Sequence, residues 1–133
     1  MNIGTIAEMS GLPAKTIRYY ESVGLIAEPA RADNGYRQYG KPDLETLRFI
    51  HRARGLGFSV HDVADLLALW ADKGRASADV KAMATRHIKD MERKIAELDT
   101  LRQTLLDLVD RCHGDDRPEC PILDDLAAIN HGD

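Results

Sequence analysis

Two thiols with seven residues between them, Cys112 and Cys120, are the side chains of this sequence best suited to chemistry. In a reducing compartment such a pair is not a disulfide by default. Its ordinary reading is two unrelated thiols, one of them buried. Placement argues for more. Cys112 follows a long helical pattern, and Cys120 stands before Pro121, which opens a short helix with Ile122, Leu123, Leu126 and Ile129 on one face. A helix N-terminus favours the thiolate, the form that binds metals. Zinc takes four ligands in a tetrahedron, whereas this loop offers two sulfurs; His113 is the nearest further donor and reads as a solvated loop residue. Soft thiolates select Cu(I), and a monovalent d¹⁰ ion is satisfied by linear two-sulfur coordination. Ag(I) and Au(I) share those properties, so the expected ligand is one such ion per two-cysteine site. The S–M–S unit carries one negative charge, which the helix start at Cys120 stabilises, while Ile122 and Leu123 would exclude water.

A second group of residues suits polyanions. The chain of 133 residues has a formal charge of −4, but residues 1–58 hold 8 Lys/Arg against 6 Asp/Glu, and residues 59–133 hold 10 against 16. Lys15, Arg18, Arg31, Arg37, Lys41, Arg48, Arg52 and Arg54 cluster in the first half together with all four tyrosines, Tyr19, Tyr20, Tyr36 and Tyr39. Arginine, lysine and tyrosine hydroxyls are phosphate-contacting groups, so this half is expected to bind DNA although the whole chain is acidic. A single exposed arginine would be read as a solvated charge; the constellation is what shifts the reading. Catalysis finds little support: there is no Gly-rich phosphate loop or HExxH, and the five histidines are scattered.

These residues need elements to hold them. Ile3 to Met9 has a short helical pattern, broken by Ser10-Gly11-Leu12-Pro13. A second helix is expected from about Pro13 to Val23, with Ile17 inward and Gly24 as its stop. Two short helices around a Gly turn form a helix-turn-helix, whose second helix enters the major groove. In the following loop, Asn34-Gly35 is the favoured two-residue hairpin turn, and short strands beside it would form a wing. Pro42 opens a third helix with Leu44, Leu47, Phe49, Ile50 and Ala53 on its buried side, and Ser59 caps a fourth with Val63, Leu66, Leu67 and Trp70, the last read as core. Beyond a hinge at 72–75, one helix is expected from Ser77 to about Val109. Its apolar positions Ala84, Ile88, Met91, Ile95, Leu98, Leu105 and Val109 alternate by four and three, with Arg102 the exception. A heptad seam of that length calls for a partner helix, and a homodimer supplies one. The longest uncharged apolar run, Leu66 to Ala71, is far short of the ~20 residues that span a bilayer. No basic stretch with an apolar core follows Met1, so a cytoplasmic location is expected.

The runs Ile3-Gly-Thr-Ile-Ala-Glu-Met-Ser-Gly-Leu, Thr16-Ile-Arg-Tyr-Tyr-Glu, Gly24-Leu-Ile and Asn34-Gly-Tyr-Arg-Gln-Tyr resemble the MerR family of transcription regulators, and the Cys112…Cys120-Pro-Ile loop resembles its copper-responsive branch. That resemblance implies a mainly α fold: a winged helix-turn-helix head at 1–71, a dimerisation helix at 77–110 in an antiparallel coiled coil, and a metal-binding loop with a short helix at 111–133. It implies a homodimer that binds double-stranded promoter DNA with an overlong spacer, and that on binding its inducer bends and untwists the DNA for RNA polymerase. The matching DNA-contact positions are Lys15, Arg18 and Tyr20 on the second helix, Arg31, Tyr36 and Arg37 in the wing, and Arg54 as a phosphate contact. Tyr20 is assigned outward on resemblance alone.

Two further residues bear on metal choice. Ser77 is a good N-cap on its own merits. In the resembling family this position is Cys in divalent sensors, donated across the dimer, so Ser77 removes a third thiolate. Lys81 reads as an exposed lysine at the edge of the seam, and by resemblance it helps to balance the charge of the metal site. Other readings stay open: a thiol redox switch formed by the two cysteines, a divalent-metal sensor of the same family, and a dimeric metal buffer that does not bind DNA.

Overall fold

The caps and glycines act locally where the pattern places them. The computed structural model describes residues 1–128, so Ile129, expected on the face of the last helix, lies outside the described residues. Six helices appear among the described residues: α1 (Ile3–Ser10), α2 (Ala14–Ser22), α3 (Lys41–Gly55), α4 (Val60–Ala71), α5 (Ser77–Arg111) and α6 (Pro121–Ala127). The Asn2 side chain accepts from the Thr5 N–H at 2.8 Å and starts α1, and Gly11 ends it at φ 79°. Such a left-handed stop suits glycine, which has no Cβ to clash. Gly24 ends α2 in the same way: its N–H reaches the Glu21 carbonyl, and the Leu25 N–H reaches that of Tyr20, the paired bonds of a Schellman motif. Ser59 caps α4 as expected, accepting from the Asp62 N–H at 3.1 Å.

The chain forms two units, Met1–Lys81 and Ala82–Asp133. In the first, α1 packs on α2 and α3, and α3 packs on α4. Ile6, Ile17, Leu47, Ile50 and Val63 are fully buried at the centre, ringed by Leu12, Tyr20, Tyr39, Leu44 and Phe58. Trp70 departs from expectation. It is 46% exposed and stacks on Phe49, with ring centroids 4.5 Å apart and an interplanar angle of 9°, at the edge of the core rather than in it.

The wing also differs in detail. Asn34 does not take a positive φ; Gly35 alone does, at 84°. The Gly35 N–H reaches the Ala32 carbonyl and the Ala32 N–H reaches that of Tyr36, so the turn centres on Asp33-Asn34 with Gly35 as a bulge. This is the three-residue hairpin loop rather than the two-residue one. The flanking strands shrink to one antiparallel bridge between Arg31 and Arg37.

In the second unit the continuation of α5 is unbroken to Arg111, followed by the cysteine loop and α6. Leu108 is the buried residue of α5. The seam side chains Ile88, Met91, Ile95, Leu98, Leu105 and Val109 are all exposed in the single chain. Ser77 is the first residue of α5 rather than the residue before it. Among the described residues no helix is long and apolar enough to cross a membrane.

Candidate nucleic-acid interface and thiol loop

Helical geometry decides which side chains α2 presents. With about 100° per residue, position 20 falls near Ile17 and position 19 nearly opposite. Ile17 is fully buried and the Tyr20 ring is 5% exposed, whereas Tyr19 is 52% exposed. The outward assignment of Tyr20 is therefore corrected: its ring belongs to the core, and Tyr19, tilted against it at 5.9 Å, takes the outer face beside Lys15 and Arg18.

The wing brings its cations to the same place. Arg18, Arg31, Tyr36 and Arg37 line one cavity of about 380 Å³ together with Asn2, Ile3 and Gly35. Four of the seven expected DNA contacts thus converge between the recognition helix and the wing. Arg31 and Arg37 form the bridge pair, so their like charges lie side by side, a destabilising arrangement. Each is balanced. Arg31 pairs with Glu28 at 3.0 Å and donates to the Gly35 carbonyl at 2.9 Å. Arg37 Nε donates to Glu21 at 2.9 Å.

Lys15 and Arg54 do not line that cavity. Lys15 is exposed on α2. Arg54, at the end of α3, donates from Nη1 to the Phe58 carbonyl at 2.6 Å.

Glu21 is the residue that pattern reading missed. Its side chain is 5% exposed, and its two oxygens accept from Arg37 and, at 2.5 Å, from the Tyr39 hydroxyl. It ties α2 to the wing. Burial first, then the bond to Glu21 and its charge, push the Tyr39 hydroxyl well above its ordinary range, while Arg37 and Arg18 pull the other way. A single carboxylate directly after a run of Arg and Tyr was the available signal.

The cysteine loop sits at the end of α5. Cys112 and Cys120 are both free and half-buried. The Cys112 N–H closes the last turn on the Val109 carbonyl at 3.1 Å, and the Cys120 carbonyl accepts from Asp124 at 2.9 Å, opening α6. Between them, Asp115 accepts from the Arg117 N–H and pairs with its Nε at 2.8 Å, bending the loop after Gly114. Ile122 is half-buried, but Leu123 is exposed and does not act as the expected cover within a single chain. Ser77 and Lys81 are exposed and belong to the first unit, the cysteines to the second. Among the described residues, no group of three or more His, Cys, Asp and Glu could hold a metal ion.

A helix-turn-helix with a short wing and a basic cavity between them suits the binding of DNA. The model of the MerR HTH family of regulatory proteins matches residues 1–70, and that of the MerR DNA-binding family matches residues 44–108. The chain belongs to the MerR family of transcription regulators. It is 54% identical to heavy metal-dependent transcription regulator 2 of Rhizobium meliloti, over 96% of this chain and 86% of that one. It is 41% identical to the transcriptional regulator CueR of Salmonella typhimurium, over 98% and 95%. Its fold is similar to that of the transcription regulator PbrR691 of Ralstonia metallidurans, solved in complex with lead(II), with a TM-score of 0.82, 34% identity and coverage of 96% and 99%.

Proposed function

We propose that this protein is a cytoplasmic, dimeric, metal-responsive activator that senses Cu(I), and equally Ag(I) or Au(I), through Cys112 and Cys120. The observation that carries the reading is a pair of free, half-buried thiols bracketing one short loop at the end of α5 in a MerR-family chain. Two thiolates satisfy a soft monovalent ion, and four ligands are the norm for zinc. By resemblance, Ser77 stands where divalent sensors of the family carry a cysteine, and Lys81 offsets the net negative charge of the metal site. The seam along α5 supplies the homodimer interface, as its exposed apolar side chains require a partner.

On DNA the two heads take successive major grooves, with Lys15, Arg18, Arg31, Tyr36, Arg37 and Arg54 as contacts. Activation by bending and untwisting a long-spacer promoter, so that RNA polymerase can use it, costs on the order of 1–6 kcal/mol. The metal must bind the distorting state more tightly by a similar amount.

The lead(II) complex of the similar structure favours a second reading, a divalent sensor. X-ray absorption on fully reduced, Cu(I)-loaded protein separates the two. Two sulfur neighbours are expected, and three or more nearest neighbours overturn the proposal. In parallel, Cys112→Ser or Cys120→Ser abolishes metal induction and leaves operator affinity nearly intact. Induction that persists under strict reduction excludes a disulfide switch.

A further inference from the structure

We infer that Arg48, His51 and Arg52 form a second phosphate-gripping surface of the head, separate from the cavity beside the wing. All three are exposed and, with Gly55, line one recess of about 240 Å³ along a single stripe of α3. The recess adjoins the helix-turn-helix itself. Arg48 donates from Nε and Nη2 to the Met9 carbonyl at the end of α1, at 3.4 and 3.3 Å. The His51 ring lies against Gly11 in the turn, where an added Cβ would sit 3.4 Å from Nε2.

Charge balance separates Arg48 and Arg52 from the two wing arginines, though not from Arg18, which has no ion-pair partner among the described residues either. The wing arginines Arg31 and Arg37 each have a carboxylate partner. Among the described residues no carboxylate pairs with Arg48 or Arg52, in a chain whose acidic residues outnumber its basic ones 22 to 18. Arg48 and Arg52 are one helical turn apart, so their charges repel, and a polyanion relieves that repulsion.

Position favours the DNA backbone over an acidic protein surface. The wing cavity includes Asn2 and Ile3 at the start of α1, and the Arg48 recess bonds its end at Met9. The eight residues of α1 span about 12 Å at 1.5 Å per residue. That is close to the ~12 Å width of the major groove, whose two edges are phosphate strands. The turn against His51 leads into the first residues of α2, the part of a recognition helix that reaches the bases. A grip at each end of α1 places cations on both sides of the inserted helix.

The inference rests on the head binding DNA, and its test separates the two. The full-length protein is titrated with a random-sequence duplex at several salt concentrations, because non-specific binding is almost wholly electrostatic. The Arg48→Gln/Arg52→Gln variant is expected to flatten the plot of log affinity against log salt by about 0.9 for each lost contact, near 1.8 per bound head. Arg48→Lys/Arg52→Lys is expected to keep the original slope, and the melting temperature of all three proteins checks the fold. Parallel salt plots for the Gln variant and the parent overturn the inference. Parallel plots combined with lost promoter activation also overturn it, and assign the surface to RNA polymerase instead. If the unsubstituted protein shows no salt-dependent binding, the DNA-binding reading fails as well.

Discussion

Replacing Glu21 by Gln tests whether one buried carboxylate holds the wing on the recognition helix. Its oxygens accept from Arg37 at 2.9 Å and from the Tyr39 hydroxyl at 2.5 Å, and its side chain is 5% exposed. A hydrogen bond to a charged group is worth about 1.5–3 kcal/mol. Arg37 is 28% exposed, so water screens its bond and places it at the lower end. Gln keeps the shape and still accepts from Tyr39, but it removes the charge both partners use. A loss of about 2–3 kcal/mol follows, less than the ~3–5 kcal/mol for breaking a fully buried pair. For a unit of this size, each kcal/mol lowers the melting temperature by about 4–8 °C, so a drop of roughly 10–20 °C is expected. Differential scanning calorimetry at fixed protein concentration measures it. The pH dependence adds an independent check. The Tyr39 hydroxyl is pushed above its ordinary value near 10, so the folded state holds that proton more tightly than the unfolded chain. Its contribution is therefore complete below pH ~10 and is lost as the pH rises above that value. Tyr39→Phe lowers stability at neutral pH but melts with a shallower alkaline decline than the parent. An unchanged melting temperature in Glu21→Gln, or parallel alkaline declines for Tyr39→Phe and the parent, refutes the argument.

Two further outcomes bear on assembly and metal choice. Ile95 and Leu98 are each 64% exposed in the single chain. If they close the dimer seam, each recovers about 1–2 kcal/mol of the ~1.5–3 kcal/mol available on full burial. Truncating both to Ala removes four such side chains per dimer and raises the dissociation constant on the order of a thousandfold or more. Sedimentation velocity reads this, and an unchanged monomer–dimer balance counts against the seam. Ser77→Cys is expected to add a response to divalent ions in a reporter assay or metal titration, and no divalent response at all counts against the third-thiolate argument.

What could be read from the sequence followed the range of the forces involved. Gly11 and Gly24 end helices, and Ser59 starts one, through bonds between residues three to five positions apart, so local pattern was sufficient. The long helix α5 was legible for the same reason, since its repeat is local. Tyr19 and Tyr20 could have been told apart from the Ile17 anchor alone, because helical rotation of about 100° per residue places one opposite that anchor and the other beside it; resemblance overrode that geometry. The wing turn was less determinate, because Asn-Gly suits either hairpin loop and the choice depends on one φ angle at Asn34. Glu21 carried a local mark, a lone carboxylate after Arg18-Tyr19-Tyr20, but its partners could not be read locally. Its partners are 16 and 18 residues away, and only the packing of the wing onto α2 brings them within bonding distance. The cysteines fall between these cases. Their spacing and the helices on either side are local facts, but the separation of the sulfurs depends on the turn that Gly114, Asp115 and Arg117 impose on the loop. If the two cysteines hold the metal as proposed, its affinity responds to that turn as well as to the thiols, because such a site gains preorganisation only when the loop already holds both donors near their bound separation.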